Sequence, residues 1–217
     1  MKLRIAALCL CVLLILPGCA QMAAEAEEPE ITMTYEVVGT ENTQMWVLKP
    51  EEFLETLNAG LEDRLQLDFL EEYDDSSLSC RFTGDGESWK ISADIFPADE
   101  VGKFYYNDYE GVDEWAYDIK ELELSTYADT EQDAKDNGIY IRALIHMFTP
   151  GVEELVEDVL GLYGDPDPAA VISEGVTRAT IGNVAYTYIP NQKRFYVEPH
   201  DEAVGIIEEQ PTVIRPE

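Results

Sequence analysis

The stretch from Leu78 to Ile95 reads LSCRFTGDGESWKISADI and carries the clearest folding signal in the chain. Apolar residues alternate with polar ones through Cys80 and Phe82, and they do so again from Trp89 to Ile95. The segment between these two runs, Gly84-Asp85-Gly86, is typical of a tight turn. Two alternating runs joined by such a turn predict a β-hairpin in which one face of each strand is buried.

Further strands are predicted on both sides of this hairpin. Before it, an alternating run and a short apolar run indicate strands at residues 31–37 and 45–48, and after it residues 104–106 favour another. The apolar residues change phase between Trp115 and Leu124, which predicts a β-bulge near Lys120 and Glu121. Three more strands, separated by turns at Gly182-Asn183 and Pro190-Asn191, are predicted at residues 176–181, 184–189 and 194–197.

Three segments have apolar residues spaced three or four apart, which predicts amphipathic helices. The first begins at Pro50, which suits a first helical turn, and its apolar face continues to Leu65. The second covers residues 130–148, and Asp129 or Thr130 can cap its start. The third covers residues 152–163 and is followed by Gly164, a natural C-terminal stop.

The order of these elements predicts the fold class. Strands joined by short turns pair antiparallel, and helices with one apolar face must cover a sheet. We therefore predict an α+β fold with an antiparallel sheet of about six to eight strands and amphipathic helices packed on one face. Residues 31–198 are expected to form one domain and residues 199–217 a loosely ordered tail, and no internal repeat stands out in the sequence.

The first residues of the chain have the layout of a secretory signal peptide, which we assign to residues 1–18. Lys2 and Arg4 give a positive start, and an apolar run from Ile5 to Leu16 follows. That run has twelve residues, whereas a membrane-spanning helix needs about 20. We therefore expect export of the chain rather than a transmembrane anchor made by this segment.

The end of that segment, Leu16-Pro17-Gly18-Cys19, resembles the lipobox of bacterial lipoproteins, although Pro17 stands where the family usually has Ser, Ala or Thr. The resemblance implies that Cys19 receives a lipid and that the chain is cut just before it. The protein would then be lipid-anchored to a bacterial cell membrane on its extracytoplasmic side, with residues 19–30 as a flexible acidic tether. Ordinary cleavage near Ala20 or Ala23, which would release a soluble protein, is the alternative.

The charge of the chain restricts its partners. It has 45 acidic and 14 basic residues, giving a formal net charge of −31. Such a surface repels nucleic acid, so we exclude nucleic acid as a partner, whereas cations and basic peptides are attracted. A general role of the charge in solubility at a crowded cell envelope is the alternative interpretation.

Most motifs that mark catalytic or cofactor sites are absent from the sequence. It has no phosphate-binding loop, no His-Glu-x-x-His and no Gly-x-Ser-x-Gly. Its two histidines, His146 and His200, are far apart, and we expect His146 to be packed or partly exposed on its helix. Cys80 lies in an alternating stretch and is expected to be a core residue. We predict no cofactor and no catalytic residue.

The most distinctive local feature is the segment from Asp99 to Asp118, which holds six aromatic and seven acidic residues. Aromatic rings beside carboxylates suit a cationic ligand, and they also suit a sugar or a protein partner. We predict that ligand-binding residues lie among four of these aromatic residues: Tyr105, Tyr106, Tyr109 and Trp115. The alternative is that they are ordinary strand residues, since aromatic side chains favour strands.

Two further hypotheses rest on the acidic residues. Asp165 and Asp167 could form an irregular oxygen site for a divalent cation, or they could be solvated acids in a proline-rich loop. Paired carboxylates could also support a cell-envelope hydrolase. The sequence therefore favours a non-catalytic binding or interaction module, with the hydrolase and a divalent-cation-binding structural protein as alternatives.

Overall fold

A computed structural model of the chain describes residues 31–40, 43–98, 112–162, 171–173 and 176–202. These residues form a two-stranded sheet, an eight-stranded antiparallel sheet and three α-helices, so the predicted α+β fold is confirmed. The strands are β1 (Val37–Thr40), β2 (Thr43–Trp46), β3 (Asp68–Glu71), β4 (Ser79–Thr83), β5 (Ile91–Ile95), β6 (Ile119–Ser125), β7 (Val171–Ser173), β8 (Val176–Ile181), β9 (Val184–Ile189) and β10 (Arg194–Pro199). The helices are α1 (Pro50–Ala59), α2 (Glu131–Phe148) and α3 (Glu153–Leu160).

The large sheet is built from two runs of four consecutive strands. Its order is β3-β4-β5-β6-β10-β9-β8-β7, so each run begins at an outer edge and ends at the centre. The runs meet where β6 pairs with β10 and Phe195 lies opposite Leu124. Helix α1 precedes the first run, and α2 and α3 precede the second. The described part of the chain therefore repeats an order of helix followed by four strands, which the sequence does not reveal.

One face of this sheet carries the core. Alternate residues of the central strands, among them Phe82, Leu122 and Phe195, are fully buried in a single apolar cluster that also contains residues of all three helices. Burying each such side chain contributes roughly 1.5–3 kcal/mol. The intervening residues lie on the outer face, which is polar: Arg81, Ser92, Asp94, Glu121, Glu123, Tyr196 and Glu198.

The predicted bulge in β6 is confirmed. Asp94 of β5 lies opposite Glu121, whereas the next residue, Ile95, lies opposite Ile119, so Lys120 is the additional residue. The bulge lets Ile119 and Leu122 both face the core, although they are three positions apart in a strand.

The helix starts follow the predicted signals more closely than the helix ends. At α2 the Thr130 side chain accepts a hydrogen bond from the backbone N–H of Asp133, whose carboxylate accepts one in return, which makes a capping box. Helix α1 ends at Gly60 and not at Leu65, because the chain changes there to a short 3₁₀ turn at residues 63–65. Helix α3 ends at Gly161, whose φ of 66° is left-handed, and not at Gly164.

The prediction of a strand at residues 31–37 is wrong, because β1 begins only at Val37. The preceding residues contact other parts of the fold instead of pairing. The backbone N–H of Thr34 donates to the carbonyl of Phe148, at 3.3 Å, and the Met33 sulfur accepts from the backbone N–H of Asn183. Alternation alone did not distinguish a paired strand from an extended segment lying on a helix end and a turn.

The C-terminal strand continues beyond its predicted end at Val197 to Pro199. Past it, the Gln44 amide exchanges two hydrogen bonds of 2.8 Å with the backbone of Asp201. The part of the predicted tail that the structure describes, up to Glu202, is therefore tied to β2. No helix in the described ranges is both long and apolar enough to cross a membrane.

Candidate functional site

A cleft of about 590 Å³ opens beside β3, the edge strand of the large sheet. The first turn of α1, the loop that follows β3 and the turn that precedes β6 form its walls. Its lining combines aromatic rings with carboxylates, and we call it the tyrosine cleft: Glu51, Phe69, Glu72, Tyr73, Asp74, Asp75, Ser76 and Tyr117.

A continuous series of rings, the aromatic ladder, connects the cleft to the core. Phe53 and Phe82, both fully buried, have ring centroids 5.3 Å apart, and Phe82 lies 5.0 Å from Phe69. Phe69 is 6.4 Å from Tyr73, which is 5.1 Å from Tyr117. All these pairs are tilted, a favourable arrangement for aromatic rings. The rings at the surface are therefore positioned by packing that begins inside the domain.

Carboxylates fix the two tyrosine hydroxyls. The Tyr73 hydroxyl donates to the Glu51 carboxylate, with distances of 2.7 and 2.8 Å to its two oxygens, and the Tyr117 hydroxyl donates to Asp75. Burial and the bond to Glu51 raise the pKa of Tyr73, while the bond to Asp75 is the main cause of the raised pKa of Tyr117. Both rings therefore stay neutral phenols at physiological pH.

Tyr117 has an unusual backbone conformation, with a φ of 69°. A side chain in this left-handed region costs roughly 1–2 kcal/mol, so the surrounding structure must hold it there. Its backbone N–H donates to the carbonyl of Phe96, at 2.6 Å, and Lys49 donates to the carbonyls of Glu114 and Ala116, at 2.8 and 2.6 Å. Backbone strain of this kind concentrates at functional sites.

Asp118, the next residue in the chain, supports the same turn. Its carboxylate is 1% exposed, and one of its oxygens lies 2.7 Å from the Lys49 ammonium nitrogen. Burial raises the pKa of Asp118 to about 6, even though the neighbouring Lys49 acts in the opposite direction. Keeping the Asp118 carboxylate ionised beside Tyr117 therefore costs free energy.

The charge around the tyrosine cleft is uniformly negative. Four exposed carboxylates line it, those of Glu51, Glu72, Asp74 and Asp75, and no basic residue is among its lining residues. Hydrogen bonds from Ser76 and Ser77 lower the pKa of Asp74 and keep it ionised. Ring faces surrounded by carboxylates form a favourable environment for a cation.

The arrangement suits an organic cation better than a metal ion. Across the described residues, no group of three or more His, Cys, Asp or Glu side chains is placed to hold a metal. The cleft carboxylates that contact the phenols also already accept hydrogen bonds. Asp165 and Asp167, the residues named for a divalent-cation site, lie outside the described residues.

The aromatic residues predicted from the segment 99–118 have different outcomes. Tyr105, Tyr106 and Tyr109 lie outside the described residues, as does the lipid-attachment residue Cys19. Trp115 is half-buried and packs against Met45 and Phe96 rather than lining the tyrosine cleft. Tyr117, from the same segment, does lie in the cleft.

The other half of the cleft was not predicted from the sequence. Glu51, Phe69 and Tyr73 are distant from Tyr117 in the chain, and only the pairing of strands and the packing of α1 bring them together. A local signal was nevertheless available, because residues 71–75 read EEYDD, with a tyrosine between two pairs of acids.

One pair of carboxylates elsewhere bears on the hydrolase hypothesis. Glu121 and Glu198 line one pocket on the outer face of the sheet, and burial followed by the charge of Glu198 raises the pKa of Glu121 to about 7. Glycoside hydrolases separate their two carboxyl groups by about 5–5.5 or 6.5–9.5 Å to accommodate the sugar or a water. The hydrolase alternative stays a prediction for this pair.

The surroundings of His146 and Cys80 indicate structural roles for both residues. His146 is exposed on α2, and its Nδ1 lies 2.5 Å from a carboxylate oxygen of Glu153 on α3. Cys80 is fully buried in the core, as predicted, and burial raises the pKa of its thiol to about 12. A thiol in that state is a poor nucleophile at neutral pH.

Comparison with known protein families, with curated proteins and with solved structures finds no match to this chain.

Proposed function

We propose that this protein is a membrane-anchored extracytoplasmic lipoprotein whose folded domain binds small organic cations in the tyrosine cleft. The observation that carries the proposal is the pair of rings, Tyr73 and Tyr117, 5.1 Å apart and each hydrogen-bonded to a carboxylate. The motif Leu16-Pro17-Gly18-Cys19 supports the anchoring part of the proposal. Binding, and not catalysis, is the role assigned to the domain.

An ammonium or guanidinium group would lie against the tyrosine rings and close to the carboxylates around them. A cation over an aromatic ring gains roughly 0.5–1 kcal/mol at an exposed site and about 2 kcal/mol when it is desolvated. The ionised carboxylates add direct attraction, and the net charge of −31 raises the local concentration of cations. A volume of about 590 Å³ is within the range of small-molecule sites.

The test is a calorimetric titration of the purified protein with tetramethylammonium, spermidine and arginine. Sodium chloride at matched ionic strength is the reference. We expect saturable binding of the organic cations. Replacing Tyr73 or Tyr117 by Leu should weaken binding about tenfold, because the ring contact and the ordered carboxylate are both lost. Replacement by Phe keeps the ring and should have the smaller effect.

Tyr127 provides the matched control. It is 62% exposed, and its hydroxyl donates to Asp129 at 2.9 Å, but it does not line the tyrosine cleft. Tyr127→Leu should therefore leave the affinity for these cations unchanged. Binding that is indifferent to Tyr73→Leu and Tyr117→Leu, or that sodium reproduces at equal ionic strength, would show that the cleft is not the site.

The anchoring part is tested separately with Cys19→Ser in a bacterial expression host. The unchanged protein should partition into the detergent phase and incorporate labelled fatty acid, because two acyl chains give stable membrane attachment. The variant should do neither. Equal partitioning of the two proteins would rule out attachment through Cys19 without affecting the cation-binding proposal.

A further inference from the structure

A second cavity, of about 530 Å³, is lined by bases as well as acids. It lies at the end of the large sheet, where the turn between β4 and β5 meets the first half of α2. Basic and aromatic side chains line it, and we call it the lysine cavity: Arg64, Trp89, Lys90, Tyr127, Tyr140 and Arg194. Three of the 14 basic residues of the chain therefore meet at one place.

Lys90 is the distinctive residue of this cavity. It is half-buried, its ammonium contacts the side-chain oxygen of Asn137, and it lies 5.2 Å from the centre of the Tyr140 ring. Among the described residues, no carboxylate lies within ion-pair distance of its nitrogen. Burial lowers the pKa of Lys90, although the charges of Asp133, Asp136 and Asp85 act in the opposite direction.

The carboxylates that also line the lysine cavity already have structural partners. Asp133 accepts the backbone N–H of Thr130 in the capping box of α2. Asp85 accepts backbone N–H groups in the turn between β4 and β5. Asp136 lies 2.9 Å from the Arg64 guanidinium. These carboxylates therefore stabilise the fold through their own partners. The Lys90 ammonium has three N–H donors, and its one acceptor among the described residues is the Asn137 side-chain oxygen.

The aromatic residues give the lysine cavity a surface that can contact a planar ligand. The Arg194 guanidinium lies 4.8 Å from the centre of the Trp89 ring, which fixes the position of both side chains. Tyr127, 62% exposed, leaves most of its side chain open to solvent at the cavity wall. Exposed aromatic rings beside a charged group are typical of binding surfaces.

We infer that the lysine cavity is a second ligand site, which binds a small organic carboxylate through the Lys90 ammonium and the Tyr127 ring. A single negative charge fits better than a phosphate, which carries about −1.5 to −2 charges and would be repelled more strongly by the three aspartates at the wall. The site is independent of the cation site in the tyrosine cleft, and neither assignment requires the other.

The test uses benzoate as the probe and two-dimensional NMR of the mature full-length protein as the readout. We expect saturable shifts of Lys90, Asn137 and Tyr127 signals and a rise in the measured pKa of the Lys90 ammonium when benzoate is bound. Lys90→Met keeps the apolar stem and removes the charge, and it should weaken benzoate binding about tenfold, because a charge-assisted hydrogen bond is lost. The pKa measurement on the unchanged protein does not depend on the folding of this variant.

Lys135→Met is the matched control, because Lys135 lies on α2, is 63% exposed, pairs with Glu131 and does not line the lysine cavity. It should bind benzoate as the unchanged protein does. Equal affinity for benzamide, the uncharged analogue, would overturn the assignment of an anion site, and tighter binding of inorganic phosphate would overturn the carboxylate class. An absence of saturation with benzoate would remove the site altogether. Saturating tetramethylammonium should leave the benzoate affinity unchanged.

Discussion

The tyrosine cleft and the lysine cavity use similar residue types but differ in charge, because only acids line the first, whereas three acids and three bases line the second. Each has tyrosine rings and several aspartate or glutamate side chains. In the tyrosine cleft the carboxylates accept from phenols and remain exposed, without a base in the lining. In the lysine cavity the aspartates cap a helix, close a turn or bind an arginine, and among the described residues none lies within ion-pair distance of the Lys90 ammonium. The residues that line each site, more than the net charge of −31, determine the charges that a ligand meets.

The two sites also differ in what holds them. The tyrosine cleft rests on the aromatic ladder, which runs into the core through Phe82. The lysine cavity rests on a polar network, in which the buried Asn137 donates to the carbonyls of Thr126 and Tyr127, at 2.9 and 3.1 Å, and accepts from Lys90. A change in the core should therefore affect the two sites unequally.

The largest expected effect comes from Phe82→Ala, which removes the ring that joins Phe53 to Phe69 in the aromatic ladder. Phe82 is fully buried, and truncation of a buried phenylalanine lowers the free energy of unfolding by about 3–5 kcal/mol. Urea denaturation measures this loss. In the protein that remains folded, we expect the cation affinity of the tyrosine cleft to fall and the environment of Lys90 to stay unchanged by NMR.

Phe195→Ala is the matched control for that prediction. Phe195 is also fully buried, and its ring is stacked 6.2 Å from Tyr186, outside the aromatic ladder. It should lower stability by a similar amount and leave cation binding intact. If both variants reduce cation binding equally, the ladder has no specific role and general loosening of the fold explains the effect.

A smaller effect on stability is expected from the buried Asp118, which is the ion-pair partner of one of the two partly buried lysines. Lys49, behind the tyrosine cleft, has the buried Asp118 at 2.7 Å, whereas Lys90 has an amide oxygen and a ring. Because the pKa of Asp118 is raised from 3.8 to about 6, the folded state holds its proton more firmly than the unfolded chain does. The stability from this group is fully present below pH 3.8 and is lost as the pH rises through about 6.

Asp118→Asn should therefore become more favourable, relative to the unchanged protein, by about 1–3 kcal/mol between pH 4 and pH 7.5. Urea titrations at the two pH values measure the difference. Asp74→Asn is a control of opposite sign, since hydrogen bonds lower the pKa of Asp74 and its contribution is lost on acidification. A pH dependence of Asp118→Asn with the same sign as that of Asp74→Asn would show that Asp118 is well compensated by Lys49.

Several features of the fold followed from local patterns. The change of phase between Trp115 and Leu124 predicted the bulge at Lys120, because alternation records which face of a strand is buried. Thr130 marked the start of α2 through its capping chemistry. Such features depend on neighbours within a few residues and are therefore visible in the sequence.

Other features depend on contacts between distant segments. The apolar spacing that continues to Leu65 could not show that α1 ends at Gly60, because Leu65 remains buried in a 3₁₀ turn. The alternation at residues 31–37 could not show that most of this segment has no strand partner. The repeated order of helix and four strands is likewise a property of topology and not of residue identity.

The sequence by itself determined the α+β class, the antiparallel pairing and the positions of most elements. The tertiary structure decided which aromatic residues meet which carboxylates. It placed Tyr117 beside Tyr73 and Glu51, and among the described residues it gave the Lys90 ammonium the Asn137 amide oxygen as its hydrogen-bond acceptor. The physical reason is range: periodicity and capping act over a few residues, whereas a binding site depends on side chains that only the pairing of strands and packing of helices bring together.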